Sequence, residues 1–405
     1  MLASIANGES RIGNFATSAD CASTIECFRQ MGVHIDQNGS DLVVAGKGKR
    51  GLTAPPEPLD CGNSGTTMRL MSGVLAGQPF ESILTGDESL RSRPMKRVIE
   101  PLTTMGASIG SLDGKAPLTI RGGHLNAIKY ELPVPSAQVK SCTLLAGLYS
   151  DGRTTVIEST PTRDHTERML RGFGVDVTTI EIDGGPLEIS VDGNADLKAT
   201  DLLIPGDISS AAFFLVAAAC LRGSELRLLS VGVNPTRAAI LDVLRRFGAR
   251  VEVQNYRESS GEPVADLAVE GGIGTPIADK NILRGDVVAN LIDEIPILAV
   301  FGTKLENGLE IRDARELRVK ESDRIASIVK NLKAMGAHIE EFDDGFRVGR
   351  SKLKGALVDS CGDHRIAMAF AIAGLIAEGA TEIANAECAA VSFPAFFEVL
   401  SEVTQ

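Results

Sequence analysis

Arg246-Phe247-Gly248-Ala249-Arg250-Val251 is a stretch that the chain writes five times in variant form. The other copies are Gln30-Met31-Gly32-Val33-His34-Ile35, Thr104-Met105-Gly106-Ala107-Ser108-Ile109, Gly172-Phe173-Gly174-Val175-Asp176-Val177 and Ala334-Met335-Gly336-Ala337-His338-Ile339. Each follows a helical pattern and precedes strand-like alternation. The physical reading is a helix that stops, a glycine in the left-handed C′ position, and a turn into a strand. Phe173 and Met335 are then the last apolar contacts of their helices. The copies recur at roughly seventy to ninety residues, the mark of one supersecondary unit used repeatedly. That length suits two helices and about four strands. Five glycine turns plus one incomplete copy give six units and an α/β fold. One helix-Gly-strand junction is common local grammar, but five with the same core argue for a repeat.

A boundary is expected near Leu203-Ile204-Pro205-Gly206-Asp207. A strand ends there, Pro and Gly break the pattern, and Asp207 or Ser209 can cap a helix through Ala212–Ala217. This divides the chain into domains 1–204 and 205–405, with three repeats before the break and two clear ones plus an incomplete one after it. At 405 residues, two cores are the default. Hydrophobic residues make up 43% and charged residues 23%, a globular balance. The apolar runs Ala211–Leu221 and Ala367–Ala377 are too short to span a membrane. The opening residues show no basic n-region and no long apolar core, so no secretory signal is read and a cytoplasmic place is expected. Seven scattered cysteines, odd in number and without a CxxC pair, argue for a reducing compartment. The histidines do not join them at metal-ligand spacing, so no metal is expected. A net charge of −12 opposes a nucleic-acid partner. Local arginines can still hold a small anion.

Three clusters carry arginines and acids at expected helix starts: Arg163-Asp164-His165-Thr166-Glu167, Arg318-Val319-Lys320-Glu321-Ser322-Asp323-Arg324 and Asp363-His364-Arg365. A polar run is usually a solvated loop, but three such clusters suggest a site that holds a polyanion and moves protons. Asp164 to Glu167 also spells a capping box, which is a structural explanation at hand. Asp60-Cys61-Gly62-Asn63-Ser64-Gly65-Thr66-Thr67-Met68-Arg69 reads as a glycine-rich turn opening a helix, where backbone N–H groups favour an anion. Taken alone it is equally a capped helix start. Arg91 and Arg93 precede Pro94 at an expected helix N-terminus, where cations are misplaced unless an anion sits beside them. Ser136 reads as an N-cap of the helix through Cys142–Leu148. Asp293 and Glu294 interrupt the apolar segment Val287–Val300, where acids are costly unless paired or functional. A carboxylate buried there is expected to have a raised pKa, which suits a proton shuttle.

As a set and in this order, GNSGTTMRL, LRSRPM, SAQVKS, RDHTERML, PGDISSAAFFL, LRVKESDRI and DHRIAMAF resemble one family. It is the 5-enolpyruvylshikimate-3-phosphate (EPSP) synthases, or 3-phosphoshikimate 1-carboxyvinyltransferases. The Ser-Ala-Gln-Val-Lys and Arg-Asp-His-Thr-Glu forms look most like its second bacterial class. The resemblance implies two domains, each of three βαβαββ units about a pseudo-threefold axis, closing on the substrates. It implies transfer of enolpyruvyl from phosphoenolpyruvate to the 5-hydroxyl of shikimate 3-phosphate, through a tetrahedral ketal, with phosphate released and no cofactor. Asp293 is implied as base toward the 5-hydroxyl. Glu321 is implied as the group that protonates the enol carbon and later removes a methyl proton. Lys320 is implied between the reacting groups and phosphate. Gly65, Thr66, Arg93, Arg324 and Arg365 are implied for phosphoenolpyruvate, and Ser136, Ala137, Gln138 and Arg163 for shikimate 3-phosphate. The first domain is then mainly acceptor-binding and the second catalytic, in a monomer. Gly65 also leaves the room that glyphosate-insensitive variants fill with a methyl group.

Two departures accompany the resemblance. The family opens with a strand and a Lys-Ser-x-Ser-x-Arg turn that contacts both substrates. Here Met1-Leu2-Ala3 aligns within the following helix, with Ala6–Ile12 at its end, and low activity is expected of the chain as it stands. Val391 stands where first-class members carry a lysine. The rivals are the sister transferase acting on UDP-N-acetylglucosamine, a non-catalytic anion binder, and an RNA-end cyclase-like protein. Cys61 and Cys142 lie at helix starts, not in the loop where the sister enzyme carries its cysteine acid. Retention of Asp293, Lys320 and Glu321 opposes a pure binder, and the acidic balance opposes an RNA partner.

Overall fold

The computed structural model describes residues 1–182, 184–274 and 281–404. Its Cα packing separates two compact units, Met1–Ile204 and Pro205–Gln405. Each has its own apolar core, one centred on residues such as Phe28, Met71 and Phe173, the other on Phe213, Phe247 and Phe301.

The first unit runs β1 (Asn7–Gly13), α1 (Ala19–Gln30), β2 (His34–Asn38), β3 (Asp41–Lys47), β4 (Leu59–Asp60), α2 (Gly65–Ala76), β5 (Glu81–Thr85), α3 (Glu88–Ser92) and α4 (Lys96–Thr104). It continues through β6 (Ser108–Leu112), β7 (Lys115–Arg121), β8 (Lys129–Glu131), α5 (Ala137–Gly147), β9 (Arg153–Glu158), α6 (His165–Gly172), β10 (Val177–Glu181), β11 (Leu187–Asp192) and β12 (Leu202–Leu203). Three four-stranded sheets result, in the orders β12-β1-β3-β2, β4-β5-β7-β6 and β8-β9-β11-β10. In each, a short strand pairs in parallel with the next, and an antiparallel hairpin completes the sheet. The second and third copies are βαβαββ units in sequence. The first takes its outer strand from residues 202–203, so the unit is closed by its own end.

The second unit runs α7 (Ile208–Cys220), β13 (Glu225–Gly232), α8 (Ala239–Arg246), β14 (Ala249–Ser259), β15 (Glu262–Ile273), β16 (Ile282–Leu283), α9 (Asp286–Asn290), α10 (Ile295–Gly302) and β17 (Leu309–Ile311). After it come α11 (Arg324–Ala334), β18 (Ile339–Phe342), β19 (Gly345–Val348), β20 (Leu357–Asp359), α12 (His364–Leu375), β21 (Glu382–Ala384) and α13 (Phe396–Val403). The order β16-β17-β19-β18 repeats the first unit's pattern. Beside it, β13-β15-β14 is extended by an isolated parallel bridge from Gly206 to Val231. The last copy keeps only the parallel pair β20-β21 around α12 and ends in a helix where the others place a hairpin. No helix among the described residues is long and apolar enough to cross a membrane.

The repeated glycine turn is what the sequence predicts. Gly32, Gly106, Gly174, Gly248 and Gly336 all have φ between +82° and +107°. In four copies the C″ N–H reaches back to the C3 carbonyl: Val33 to Phe28, Ala107 to Leu102, Val175 to Leu170 and Ala337 to Leu332. This is the Schellman closure that satisfies the last carbonyls of a helix. The residues before the glycines (Met31, Met105, Phe173, Phe247, Met335) are fully buried, so each turn is also a core contact. Three copies add a further clamp, an arginine of the last turn donating to a strand carbonyl: Arg29 to Ile35, Arg171 to Val177 and Arg245 to Val251.

Residues 7–13 depart from expectation. They form strand β1 rather than the end of a helix, and only a 3-10 turn at Ala3–Ile5 precedes them. The reason is pairing on both sides. Residues 7–12 bond antiparallel to β3, and Ile12 and Gly13 pair in parallel with β12, so a helical backbone there would leave two ladders unfilled.

A Cβ at position 336 would meet open space, so Gly336→Ala tests backbone strain alone. It is expected to lose about 1–2 kcal/mol, the cost of a left-handed L-residue. At Gly248 the added Cβ would also lie 2.6 Å from the Gly274 carbonyl oxygen. Gly248→Ala should therefore lose more, read as a lower urea midpoint with an unchanged slope.

Candidate active site

In the first unit the site begins at the N-terminus of α2. Asp60 accepts from the Gly62 N–H and fixes the turn, and the Ser64 hydroxyl caps the helix at the Thr67 N–H. Gly65 and Thr66 open the helix. Arg69, one turn further on, donates to the Gln138 side-chain oxygen at 2.6 Å, and the Gln138 amide donates to the Thr66 hydroxyl at 2.8 Å. Arg93 donates to the Asn63 side-chain oxygen at 2.7 Å. A Cβ on Gly65 would stand 2.9 Å from Arg69 Nη1 and 3.4 Å from Arg93 Nη1. Two guanidiniums thus converge on a helix N-terminus, an arrangement suited to an anion. Gln138 is brought in by α5, whose N-cap is Ser136 and whose first residue is Ala137. Helices α2 and α5 approach closely at Gly73, where a Cβ would lie 2.2 Å from the Cys142 carbonyl oxygen. Arg163 lies in the turn between β9 and α6.

Two local readings of this unit are corrected. Asp164 and Glu167 do not form a capping box. Asp164 is the N-cap residue without a capping hydrogen bond, and its carboxylate pairs with Arg168 at 2.8 Å. Glu167 turns inward to Lys140 at 2.7 Å. Burial pushes its carboxyl above the usual range, and Lys140 only partly opposes that. Arg91 does not stand at a helix N-terminus. It closes the last turn of the short helix α3, where a cation suits the dipole, and Arg93 follows in extended backbone.

The second unit assembles the charged residues at the starts of three helices. Asp293 and Glu294 precede α10, Glu321 and Asp323 precede α11, and Asp363 caps α12. Arg324 joins them. Its guanidinium is 1% exposed and meets Asp363 at 2.7 Å, Glu321 at 2.6 Å and Asp293 at 3.4 Å. Burial alone would lower its pKa; the three carboxylates more than reverse this and raise it. Asp293 is not a lone acid in an apolar segment, as its sequence context suggests. Arg237 stands 3.5 Å from one oxygen, Arg365 3.8 Å from the other, and Arg365 also donates to the Asp293 backbone carbonyl. Arg237 further donates to Ser209 at 2.5 Å, and Ser209 donates to the buried Glu294. Lys320 pairs with Glu316 at 2.9 Å, beside this cluster. Arg318 serves the fold: it ties Asp323 to Glu341 and to the carbonyls of Phe342 and Asp343.

The expected site residues thus fall into two groups. Gly65, Thr66, Arg93 and Gln138 meet in the first unit, with Ser136 and Ala137 on the adjoining helix end. Asp293, Glu321, Arg324 and Arg365 meet in the second. Sequence reading missed Arg69, although its spacing from Gly65 puts it on the same helix face. It also missed Arg237, which follows an Asn-Pro-Thr turn and has no periodic signal.

Residues 1–400 match the family described as EPSP synthase (3-phosphoshikimate 1-carboxyvinyltransferase). The chain belongs to the EPSP synthase family. The 3-phosphoshikimate 1-carboxyvinyltransferase of Bacillus cereus strain G9842 is 51% identical over 408 residues, covering all of this chain and 93% of its own length. That of Salinibacter ruber is 50% identical over 410 residues, with the same coverage. The solved EPSP synthase of Acinetobacter baumannii superposes on the whole chain with a TM-score of 0.87 at 42% identity, over 92% of its own chain. The enolpyruvyl transferase NikO of Streptomyces tendae gives 0.76 at 19% identity over 91% of its chain, a likeness of fold. These matches make the chain a transferase of this family, with two-unit enolpyruvyl transferase architecture.

His364, in the same EPSP synthase cluster, is buried. Burial first, and Arg365 second, push its imidazole down to about 4, so it is neutral at pH 7. An unfolded histidine titrates near ~6.5, so between these values the unfolded chain binds the extra proton. Stability is therefore full above about pH 6.5 and falls as pH drops toward 4. Asp363 adds to this lower down. Burial pushes its carboxyl up, Arg324 outweighs that, and the net depression makes its contribution vanish on acidification below about pH 4. His364→Gln should lose about 2 kcal/mol less than the unaltered chain between pH 7 and pH 5, measured by urea unfolding at both.

Proposed function

We propose that Asp293, Lys320 and Glu321 carry out the reaction of the EPSP synthase family in this chain. That reaction transfers the enolpyruvyl group of phosphoenolpyruvate to the 5-hydroxyl of 3-phosphoshikimate and releases phosphate. One observation supports the assignment most. The carboxylates of Asp293 and Glu321 are fixed around a single guanidinium, at 3.4 Å and 2.6 Å from Arg324. An addition followed by an elimination needs two such groups with different tasks.

In the proposed sequence Asp293 accepts the 5-hydroxyl proton as that oxygen bonds to C2 of phosphoenolpyruvate. Glu321 delivers a proton to C3, which becomes a methyl group in a tetrahedral ketal. The phosphate leaves from C2, Glu321 takes a proton from the methyl group, and the enol double bond reforms. Lys320 stabilises the departing phosphate by its charge, which requires it to part from Glu316. Gly65, Thr66, Arg93, Arg324 and Arg365 bind phosphoenolpyruvate. Arg324 is already faced by three carboxylates, so it fixes Glu321 and Asp293 as much as it attracts the substrate anion. Ser136, Ala137, Gln138 and Arg163 bind 3-phosphoshikimate. Arg69 joins this set as the residue that holds Gln138.

Phosphate release should require both substrates. Asp293→Asn and Glu321→Gln should each lower kcat by about 10²–10⁴, the usual worth of a placed acid or base. Either variant turning over within a factor of two of the unaltered chain would remove that residue from the mechanism.

The crowding at Gly65 yields a second test. In Gly65→Ala the methyl group must displace Arg69 and press on Arg93. KM for phosphoenolpyruvate should rise and inhibition by glyphosate should weaken together, and KM for 3-phosphoshikimate should rise as well because a displaced Arg69 releases Gln138. Unchanged glyphosate inhibition in this variant would separate Gly65 from the anion site.

A further inference from the structure

Lys140 lies in the first turn of α5, a helix of apolar and small uncharged residues apart from it and Gln138, and its side chain is 0% exposed. Its ammonium group meets Glu158 at 3.0 Å, Glu167 at 2.7 Å and the Thr162 carbonyl at 3.4 Å. All three of its donors are thereby used. Glu158 and Glu167 are 2% and 3% exposed, so the cluster is closed to bulk solvent. Thr162 closes it by donating its hydroxyl to the other Glu158 oxygen at 2.7 Å. One Glu167 oxygen, Oε2, has no hydrogen-bond partner.

Stability alone explains this cluster poorly. Taking one ammonium and two carboxylates out of water costs several kcal/mol per ion, and apolar side chains of the same volume commonly serve at least as well. What the cluster does is geometric. Lys140 is the residue whose backbone N–H bonds the Ser136 carbonyl in the first turn of α5. That turn carries Ser136 and Gln138. Glu158 ends β9, Glu167 is in the first turn of α6, and Thr162 lies between them, next to Arg163. One side chain therefore grips both ends and the middle of the turn that holds Arg163, and joins it to the helix end that holds Ser136 and Gln138. A second stitch runs alongside, Ser141 to Thr166 at 2.7 Å.

We infer that Lys140 is a positioning residue for the acceptor. It sets the spacing between Arg163 and the Ser136–Gln138 helix end, and so the fit of a phosphorylated polyol. This rests on the reading of those residues given above. Burial pushes the Glu167 carboxyl up, Lys140 opposes that shift and Glu158 adds to it, so the three charges act on one another.

Lys140→Met keeps the stem and removes the grip. KM and the calorimetric Kd for 3-phosphoshikimate should rise about tenfold or more, with KM for phosphoenolpyruvate within a factor of two, because a displacement of about 1 Å in a binding group is costly. Loss of both KM values together, or of neither in a folded protein, would overturn the inference. If Lys140→Met does not fold, the double variant Lys140→Met, Glu167→Gln removes one stranded carboxylate. It should fold and still bind 3-phosphoshikimate weakly, and normal binding by it would overturn the inference. If the unaltered chain itself fails to bind 3-phosphoshikimate, the acceptor reading falls and this inference falls with it. If it binds normally and Lys140→Met does too, only this inference falls.

Discussion

A guanidinium that is 1% exposed is tolerable only if its charge is met where it sits. Arg324 meets that condition with three carboxylates from three helix starts, and the second unit is arranged around the consequence. Asp363 caps α12 at the N–H groups of Arg365 and Ile366 while it receives Arg324. Glu321 leads into α11, and Asp293 leads into α10. Three helices are thus forced to begin at one place, and each start brings an ionisable group. Removing Arg324 would leave Asp363 buried without its counter-charge, a far larger penalty than any single surface ion pair involves.

Of the three converging helices, α11 ends in the repeated glycine turn, whereas α10 and α12 stop without it. Five of the described helices are stopped by a left-handed glycine after a buried Met or Phe, and the chain then returns as a hairpin. Where that turn occurs, local hydrogen bonding satisfies the helix end, in four copies as a Schellman closure, and the ionisable residues of the second unit gather at helix starts instead.

What could be read in the sequence follows from the range of each interaction. The glycine turns were legible because left-handed backbone leaves a chemical mark on a single position. Asp207 and Ser136 as N-caps were legible for the same reason, their partners being two or three residues away. Asp164-x-x-Glu167 had the spacing of a capping box, yet Glu167 is drawn inward by Lys140, whose position on another helix no local pattern reveals. The strand at residues 7–13 is set by pairing with β3 and, at its end, with β12, whereas the resemblance alone places Ala6–Ile12 at a helix end. Asp293 stood out as an acid in an apolar segment. Its surroundings did not, because Arg237, Arg324 and Arg365 come from three separate segments.

The two units treat their arginines differently, and the difference bears on chemistry. Around α2, Arg69 donates to the amide oxygen of Gln138, and Arg93 to the amide oxygen of Asn63 and the hydroxyl of Ser89, which orients both guanidiniums at the helix start. In the second unit Arg324 and Arg237 are met by Asp293, Glu321, Asp363 and Asp207. There the positive field is largely spent on carboxylates, and what remains is a set of acids held at fixed distances. The first arrangement suits holding an anion. The second suits proton transfer, because its carboxylates are positioned before any substrate arrives. A reaction that must bind two phosphorylated molecules, and also move protons to and from one carbon, needs both kinds of arrangement.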